Sequence, residues 1–165
     1  MTRVFLGLGS NVGDRYNFII NAIKEIEKIQ SVKLISSSSV YETEPWGNKE
    51  QNRFLNSVVE VDANLEPLKL FRELKRVEKK LGRVKNIKWA EREIDIDILF
   101  YDDDIIQNDT LEIPHHEIEN RRFVLVPLEE IASKLIHPVL NKTISELLET
   151  TDDISEVDMY DCTYA

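Results

Sequence analysis

The sequence is poor in cysteine, in long apolar runs and in basic charge. Its 165 residues include one cysteine, Cys162, which excludes an intrachain disulfide and any metal site built from several cysteines. The longest apolar runs are only a few residues, too short to span a bilayer, and the first residues lack the apolar stretch of a secretory signal. We therefore expect a cytoplasmic protein with no membrane partner.

Basic residues are outnumbered by acidic ones. There are 21 Lys+Arg against 31 Asp+Glu, which gives a net charge of −10. A general nucleic-acid binder needs a basic face to displace counterions from phosphates, so no nucleic-acid partner is expected. Residues 72–92 form the one basic cluster, with nine basic and three acidic residues. The tail from about residue 151 is acidic, and we expect it to be a solvated end.

The remaining composition is that of a soluble globular protein. The chain is 42% hydrophobic and 32% charged, and its length suits one domain, 1–165, with one substantial core. Apolar periodicity indicates strands and helices in the order β-α-β-β-α-β. The predicted strands are Arg3–Leu8, Val32–Tyr41, Phe54–Val61 and Glu93–Tyr101; one predicted helix follows Asp14 and the other runs from about Asn64 to Gly82.

This order predicts an α+β fold, a ferredoxin-like antiparallel sheet with helices on one face. A C-terminal extension should follow it. We expect a short hairpin within Asp104–Ile113, a helix near Phe123–Lys134 and a last helix near Thr143–Thr150. Since this architecture carries many activities, the function has to be argued from particular residues.

Acidic residues alternate with isoleucines in residues 92–98. In a strand, alternate residues share a face, so the isoleucines face the core while Asp95 and Asp97 lie roughly 6–7 Å apart on the other face. A solvated polar face is one interpretation. Aspartate is a poor strand former, however, and like charges on one face repel, so the pair favours a bound cation. Carboxylate oxygens with no histidine or cysteine nearby suit magnesium.

Two flanking segments carry cations. Residues 82–92 have no apolar period, and they are either a salt-bridged surface loop or a mobile cationic loop beside a metal strand. The second arrangement is the one that phosphoryl transfer needs. Downstream, His115 and Arg121 are either ordinary loop residues or contacts to phosphate or ribose.

Glycine, aromatic and amide groups gather at the ends of three predicted strands. The glycine-rich run Gly7–Asp14 matches neither the Walker nor the Rossmann pattern, and it indicates a turn or a close approach of backbone or ligand. The segments Tyr41–Gly47 and Phe54–Asn56 supply aromatic, hydroxyl and amide groups. This mixture suits a flat heteroaromatic ligand, although core packing explains Phe54 equally well.

Taken together, these segments resemble the 6-hydroxymethyl-7,8-dihydropterin pyrophosphokinase family of folate biosynthesis. The D-x-D strand preceded by arginine, combined with a P-H-x(5)-R-x-F pattern, is specific to it. The matching segments are Leu6–Asn11, Tyr41–Gly47, Phe54–Asn56, Gly82–Arg83, Arg92–Phe100 and Pro114–Leu128. The resemblance implies transfer of the β,γ-pyrophosphoryl unit of ATP to the hydroxymethyl group of the pterin, with release of AMP.

The resemblance also implies a set of site residues. Asp95 and Asp97 would be catalytic and would hold two Mg²⁺ ions, and Arg83 and Arg92 would be catalytic phosphate clamps. The implied ATP-binding residues are Glu78, Arg83, Trp89, Arg92, Ile98, His115 and Arg121. The implied pterin-binding residues are Gly9, Thr43, Pro45, Trp46, Phe54, Asn56 and Phe123, with the pterin between the rings of Phe54 and Phe123.

Two other functions fit parts of the pattern. A metal-dependent nucleotidyl or phosphotransferase on a ferredoxin-like fold would also use paired aspartates, but it would need a wider basic face for a polynucleotide. A non-catalytic ligand-binding module would leave Asp95 and Asp97 unexplained. We expect the protein to be a monomer or a weak homodimer.

Overall fold

The computed structural model describes residues 2–45, 50, 52–82 and 93–160. In these ranges the strands are β1 (Arg3–Ser10), β2 (Val32–Ser37), β3 (Tyr41–Thr43), β4 (Phe54–Ala63), β5 (Asp95–Tyr101), β6 (Ile106–Gln107), β7 (Glu112–Ile113) and β8 (Val157–Met159). The α-helices are α1 (Arg15–Glu27), α2 (Pro67–Lys80), α3 (Arg122–Ala132) and α4 (Ile144–Thr150), and a short 3₁₀ helix covers Ile118–Asn120.

Six strands form one antiparallel sheet in the described part of the chain. Its order is β5-β1-β4-β3-β8, with β2 beside β4 as well. The long strand β4 pairs with β1 along one edge and with both β2 and β3 along the other. The predicted combination of helices with an antiparallel sheet is confirmed, and β6 and β7 form the short hairpin expected within Asp104–Ile113.

The prediction of one continuous strand over Val32–Tyr41 is wrong. The segment is divided into β2 and β3, with Ser38 between them. The Ser38 hydroxyl accepts the backbone N–H of Val58 at 2.9 Å and lies 3.2 Å from the Ser57 hydroxyl. Serine side chains compete with the strand ladder in this way, which a period-two pattern does not reveal.

Local sequence signals place both long helices correctly. The Asp14 carboxylate accepts the backbone N–H of Asn17 at 3.3 Å and caps α1, as predicted. Pro67 occupies the first turn of α2, where its missing N–H costs no hydrogen bond. Gly82, at φ 104°, follows the end of α2 in a conformation that favours glycine, so the predicted stop is confirmed.

Helices cover both faces of the sheet: α1 and α2 lie on one face, as expected for the β-α-β-β-α-β portion, and the two later helices cover the other. The first face packs against α1 and α2. Its core consists mainly of Val4, Leu6, Leu8, Ile19, Ala22, Ile26, Leu55, Val59, Val61, Leu70, Leu74, Ile94, Ile96 and Ile98. The second face packs against α3 and α4. Its core consists mainly of Phe5, Val58, Leu99, Phe100, Ile118, Leu125, Leu128, Ile144 and Leu147.

The acidic tail is not simply a solvated end. Residues Val157–Met159 form β8, which pairs with β3 and extends the sheet. The preceding Asp153 accepts the backbone N–H of Arg122 at 2.8 Å, so the tail also contacts α3. These are tertiary contacts, which the charge of the segment could not predict. In the described residues we find no helix with the length and hydropathy needed to cross a membrane.

Candidate active site

Gly9 lies between two polar side chains that belong to the strands on either side of it. Gly9 of β1 lies opposite Asn56 of β4 and opposite Asp95 of β5. Residues directly opposite in antiparallel pairs point to the same face, so the carboxylate and the amide flank Gly9 with their Cα atoms about 10 Å apart. A Cβ atom at Gly9 would lie 2.8 Å from the Asn56 Oδ1 atom. Only glycine leaves room for the amide in this row.

The two aspartates share the second face of the sheet, as predicted. Asp97 lies opposite Gly7, two residues along β1 from the partner of Asp95. Between them Ile96 is 1% exposed and belongs to the core on the first face, whereas the Asp97 side chain is 37% exposed. The strand thus separates an apolar face from a pair of accessible carboxylates.

His115 lies beside this carboxylate pair. Its Nε2 atom is 4.0 Å from the Asp97 Oδ2 atom, and its backbone N–H donates to the Leu99 carbonyl at 3.0 Å. Burial lowers the pKa of His115, so the ring is neutral near pH 7 and the contact is not an ion pair, despite its distance. Residues 92–98 contain no histidine, but the β6–β7 hairpin returns the chain to β5 and places His115, a predicted ATP-binding residue, beside Asp97.

Arg121 and Phe123 lie at the beginning of α3. The Arg121 side chain is 12% exposed, and its Nη2 atom lies 3.5 Å from the Glu117 Oε2 atom. Its guanidinium carbon is 5.9 Å from the centre of the Phe123 ring. A cation and an aromatic ring are therefore adjacent at this end of the helix.

Four of the predicted pterin-binding residues, Gly9, Thr43, Phe54 and Asn56, lie together. The Asn56 side-chain N–H₂ donates to the Thr43 hydroxyl at 2.7 Å, and both residues are buried. The Phe54 ring lies 3.6 Å from the position of a Cβ atom at Gly9. Pro45, which follows β3, is also buried. The structure thus places a glycine, an amide held by a hydroxyl and an aromatic ring next to one another on the sheet.

Two predicted ATP-binding residues face elsewhere. Ile98 is 6% exposed and packs in the core on the first face, so its side chain points away from the aspartates. The buried Glu78 carboxylate accepts the Ile96 backbone N–H at 2.7 Å and the Lys75 ammonium at 3.2 Å. It anchors β5 between Asp95 and Asp97. Trp46, Arg83, Trp89 and Arg92 lie outside the described residues.

The donor set suits magnesium rather than zinc. Within the described ranges no three His, Cys, Asp or Glu residues form a group that could hold a metal ion. Magnesium is commonly bound by one or two carboxylates, with waters and substrate phosphates as its other ligands. Asp95 and Asp97, on one accessible face, fit that coordination.

A carboxylate on α3, which no sequence pattern indicated, connects the helix to β3. Glu130 accepts a hydrogen bond from the Tyr41 hydroxyl at 2.5 Å and another from the Ser39 backbone N–H at 3.0 Å. Burial, followed by this carboxylate, raises the pKa of Tyr41 well above its usual value. The two residues are 89 positions apart, so no local pattern links them.

Residues 5–133 match the family model of 7,8-dihydro-6-hydroxymethylpterin-pyrophosphokinase (HPPK). This chain belongs to that family. It is 44% identical over 146 residues to the 2-amino-4-hydroxy-6-hydroxymethyldihydropteridine pyrophosphokinase of Aquifex aeolicus, covering 88% of this chain and 90% of the relative. It is 40% identical over 153 residues to the enzyme of the same name from Haemophilus influenzae, covering 93% and 95%.

A solved structure shares the fold. The crystal structure of wild-type Plasmodium falciparum HPPK-DHPS with pteroate matches with a TM-score of 0.69 and 19% identity, covering 90% of this chain. This chain spans 42% of that longer protein. At this identity the match supports the architecture of the HPPK family and carries no information on individual residues.

Proposed function

We propose that this enzyme transfers pyrophosphate from ATP to the hydroxymethyl group of 6-hydroxymethyl-7,8-dihydropterin, in folate biosynthesis, with the row Asp95–Gly9–Asn56 at the centre of its active site. This row is the observation that carries the proposal. It sets a carboxylate suited to a metal–triphosphate complex beside an amide suited to a pterin edge, with only a glycine between them. The two substrates can therefore meet on one sheet face.

On the triphosphate side of the site, different residues would bind the metal ions, the nucleotide and the transferring phosphates. Asp95 and Asp97 would hold two Mg²⁺ ions, which when bound neutralise phosphate charge and orient the reacting oxygens. His115 and Arg121 border the same face and would contact the nucleotide. Arg83 and Arg92 would clamp the transferring phosphates, and Trp89 would complete the ATP site. Glu78 would act only through its hydrogen bond to the β5 backbone, and Ile98 only through its own backbone.

On the pterin side of the site, residues would contact both the edge and the two faces of a flat ring. Asn56, held by the Thr43 hydroxyl, would hydrogen-bond the ring edge, and Gly9 lies beneath it. Phe54 would stack on one face and Phe123 on the other, while Pro45 and Trp46 would close the side. Aromatic stacking contributes roughly 0.5–1.5 kcal/mol per pair beyond its buried area.

The chemical step forms one bond and breaks one. The hydroxymethyl oxygen bonds to the β-phosphorus, the bond from that phosphorus to the α–β bridging oxygen breaks, AMP leaves, and the hydroxyl proton passes to solvent. The described part of the site supports positioning and charge neutralisation as the main contributions, as in other phosphoryl transfers. Closing the site against water would protect ATP from hydrolysis.

We further infer a ferredoxin-like topology for the portion from β1 to β5, with the later helices as an extension. The whole chain would be one domain. It would act in the cytoplasm as a monomer or a weak homodimer, with ATP and the pterin alcohol as its partners and no nucleic acid.

Product analysis tests this function. The protein is incubated with MgATP with and without the pterin alcohol, and the nucleotides are separated by chromatography. We expect AMP only when the pterin alcohol is present, together with the pterin pyrophosphate in equal amount. ADP as the product would indicate a single-phosphoryl transfer and would contradict the proposal. The Asp97→Asn variant serves as the inactive control.

A further inference from the structure

The C-terminal strap, residues 151–160, connects the two elements that carry opposite sides of the proposed pterin slot. One is the beginning of α3, which carries Phe123. The other is β3, which carries Thr43. Each end of the strap makes specific hydrogen bonds, although its acidic composition predicted a solvated end.

The first end of the strap caps α3 from a distance. The Asp153 Oδ2 atom accepts the backbone N–H of Arg122, the first residue of α3, at 2.8 Å. The Arg122 guanidinium in turn donates to the Ser155 carbonyl at 3.0 Å. The residue before the helix, Arg121, contributes no side-chain cap. Asp153 therefore caps α3 from 31 positions away in the sequence, whereas a capping residue is usually the one directly before its helix.

The charge of Asp153 is matched to this position. Burial alone would raise its pKa, but hydrogen bonds from the Ser155 hydroxyl and from the Arg122 and Ser155 backbone N–H groups lower it below the usual value. The carboxylate is thus ionised at neutral pH. An anion near the first turn of a helix is stabilised by the helix dipole.

The second end of the strap completes β3. Strand β8 pairs with β3 so that Val157 lies opposite Thr43, the residue whose hydroxyl holds the Asn56 amide. The Glu156 backbone N–H donates to the Glu44 carboxylate at 3.1 Å, directly after β3. Strand β3 pairs with β4 along one edge and with β8 along the other, so the strap supplies the backbone partners of its second edge.

We propose that the C-terminal strap sets the width of the pterin slot, and that Asp153 is its main positioning residue. Asp153 and Glu156 are three positions apart, and an extended chain of that length spans at most about 10 Å. The strap therefore limits how far the beginning of α3 can move from β3. Arg121 has a separate contact to Glu117, so ATP binding depends less on the strap. This inference rests on the proposed function.

The test compares substrate affinities in the full-length protein. Calorimetry measures the Kd of the pterin alcohol alone and of MgATP alone for Asp153→Ala, for Asp153→Asn and for the control Asp152→Ala. Asp152 is the exposed neighbour with the same charge. We expect Asp153→Ala to raise the pterin Kd about fivefold, from the loss of a cap, while the Kd of MgATP changes less than about twofold. Asp153→Asn keeps an acceptor oxygen and should restore most of the pterin affinity.

Three results would overturn the inference, and Asn56→Ala distinguishes the first two. If Asn56→Ala weakens pterin binding but Asp153→Ala matches Asp152→Ala, the strap does not set the slot, while the proposed site stands. If Asn56→Ala leaves pterin binding unchanged, the proposed slot is wrong and the inference falls with it. Equal losses for pterin and MgATP in Asp153→Ala would indicate a general structural role, again against the inference. Should Asp153→Ala not fold, the same comparison is made with Arg122→Ala, which removes the other bond between the strap and α3, from the Arg122 guanidinium to the Ser155 carbonyl.

Discussion

The second face of the sheet has two halves that the same three strands build very differently. In the covered half, Phe5, Val58 and Leu99 are each at most 2% exposed and pack beneath α3 and α4. In the open half, a few residues away on the same strands, the corresponding positions are occupied by Gly9, Asn56 and Asp95. Among the described residues, the proposed active site lies in the half of this face that lacks large apolar side chains and a covering helix.

The position of α3 marks the boundary between the two halves. Its first residues border the open half, whereas Leu125 and Leu128 are fully buried over the covered half. Burying ionised carboxylates under an apolar helix would cost several kcal/mol or more. Ionised carboxylates and a covering apolar helix therefore cannot occupy the same half. The beginning of α3 marks where one half ends and the other begins.

The largest effect is expected from removing a charge in the open half. Asp97→Asn should lower kcat about 1,000-fold or more, because an amide is a weak ligand for magnesium while the side-chain shape is retained. The rate of AMP formation at saturating MgATP and pterin measures it. Asp103→Asn, the same exchange in the exposed turn after β5, should leave kcat within about twofold. Near-normal turnover of Asp97→Asn would contradict the assignment.

In the covered half, the expected effect is on stability instead. Leu128→Ala should lower the free energy of unfolding by about 3 kcal/mol, because the side chain is fully buried and leaves a cavity. Urea denaturation measures the change. Ile105→Ala, at a residue 57% exposed, should change it by less than about 0.5 kcal/mol. An equal loss in both variants would mean that the covered half is not a packed core.

Two glycines of β1, Gly7 and Gly9, should respond differently to the same substitution. Gly9→Ala should raise the KM for the pterin alcohol about tenfold, because the new methyl group would meet the Asn56 Oδ1 atom at 2.8 Å. In Gly7→Ala the nearest atom is the Leu99 Cδ2 atom at 3.3 Å, at the end of a flexible side chain. That variant should change the KM less than about threefold. Steady-state kinetics measures both variants. A larger rise of the pterin KM in Gly7→Ala than in Gly9→Ala would contradict the proposed row Asp95–Gly9–Asn56.

The smallest effect concerns pH and the covered half. Burial lowers the pKa of His137, with Glu119 opposing, and the neutral ring accepts the Val139 and Leu140 backbone N–H groups. A lowered folded-state pKa means that this contribution to stability is complete above the unfolded value of about 6.5 and is lost as the pH falls below it. The free energy of unfolding should decline from pH 7.5 to pH 5.5, and less steeply in His137→Asn. An unchanged slope in the variant would contradict this.

Sequence patterns identified the elements that rest on local physics. The Asp14 cap, the Gly82 stop and the alternation around Asp95 and Asp97 each depend on neighbours within a few residues, and the structure confirms them. A period-two pattern also fixed which face the aspartates occupy, because alternation in a strand leaves no other choice.

The features missed from the sequence depend on distant contacts. His115 reaches Asp97 only through the β6–β7 hairpin, and Glu130 meets Tyr41 across 89 residues. Strand β8 has three residues, too few for a period to be recognised, and its partner β3 is equally short. The pairing of such elements is decided by packing and by backbone hydrogen bonds that no local pattern encodes.

In the proposed site, metal–triphosphate and pterin share the open half of one sheet face, and paramagnetic relaxation can locate the metal on that face. Mn²⁺ replaces Mg²⁺ in the presence of a non-hydrolysable ATP analogue, and the broadening of backbone amide NMR signals is measured. We predict the strongest broadening at residues 7–9 and 95–97, and its loss from these residues in Asp97→Asn. Strongest broadening at the acidic turn 102–104, with residues 7–9 unaffected, would contradict the account.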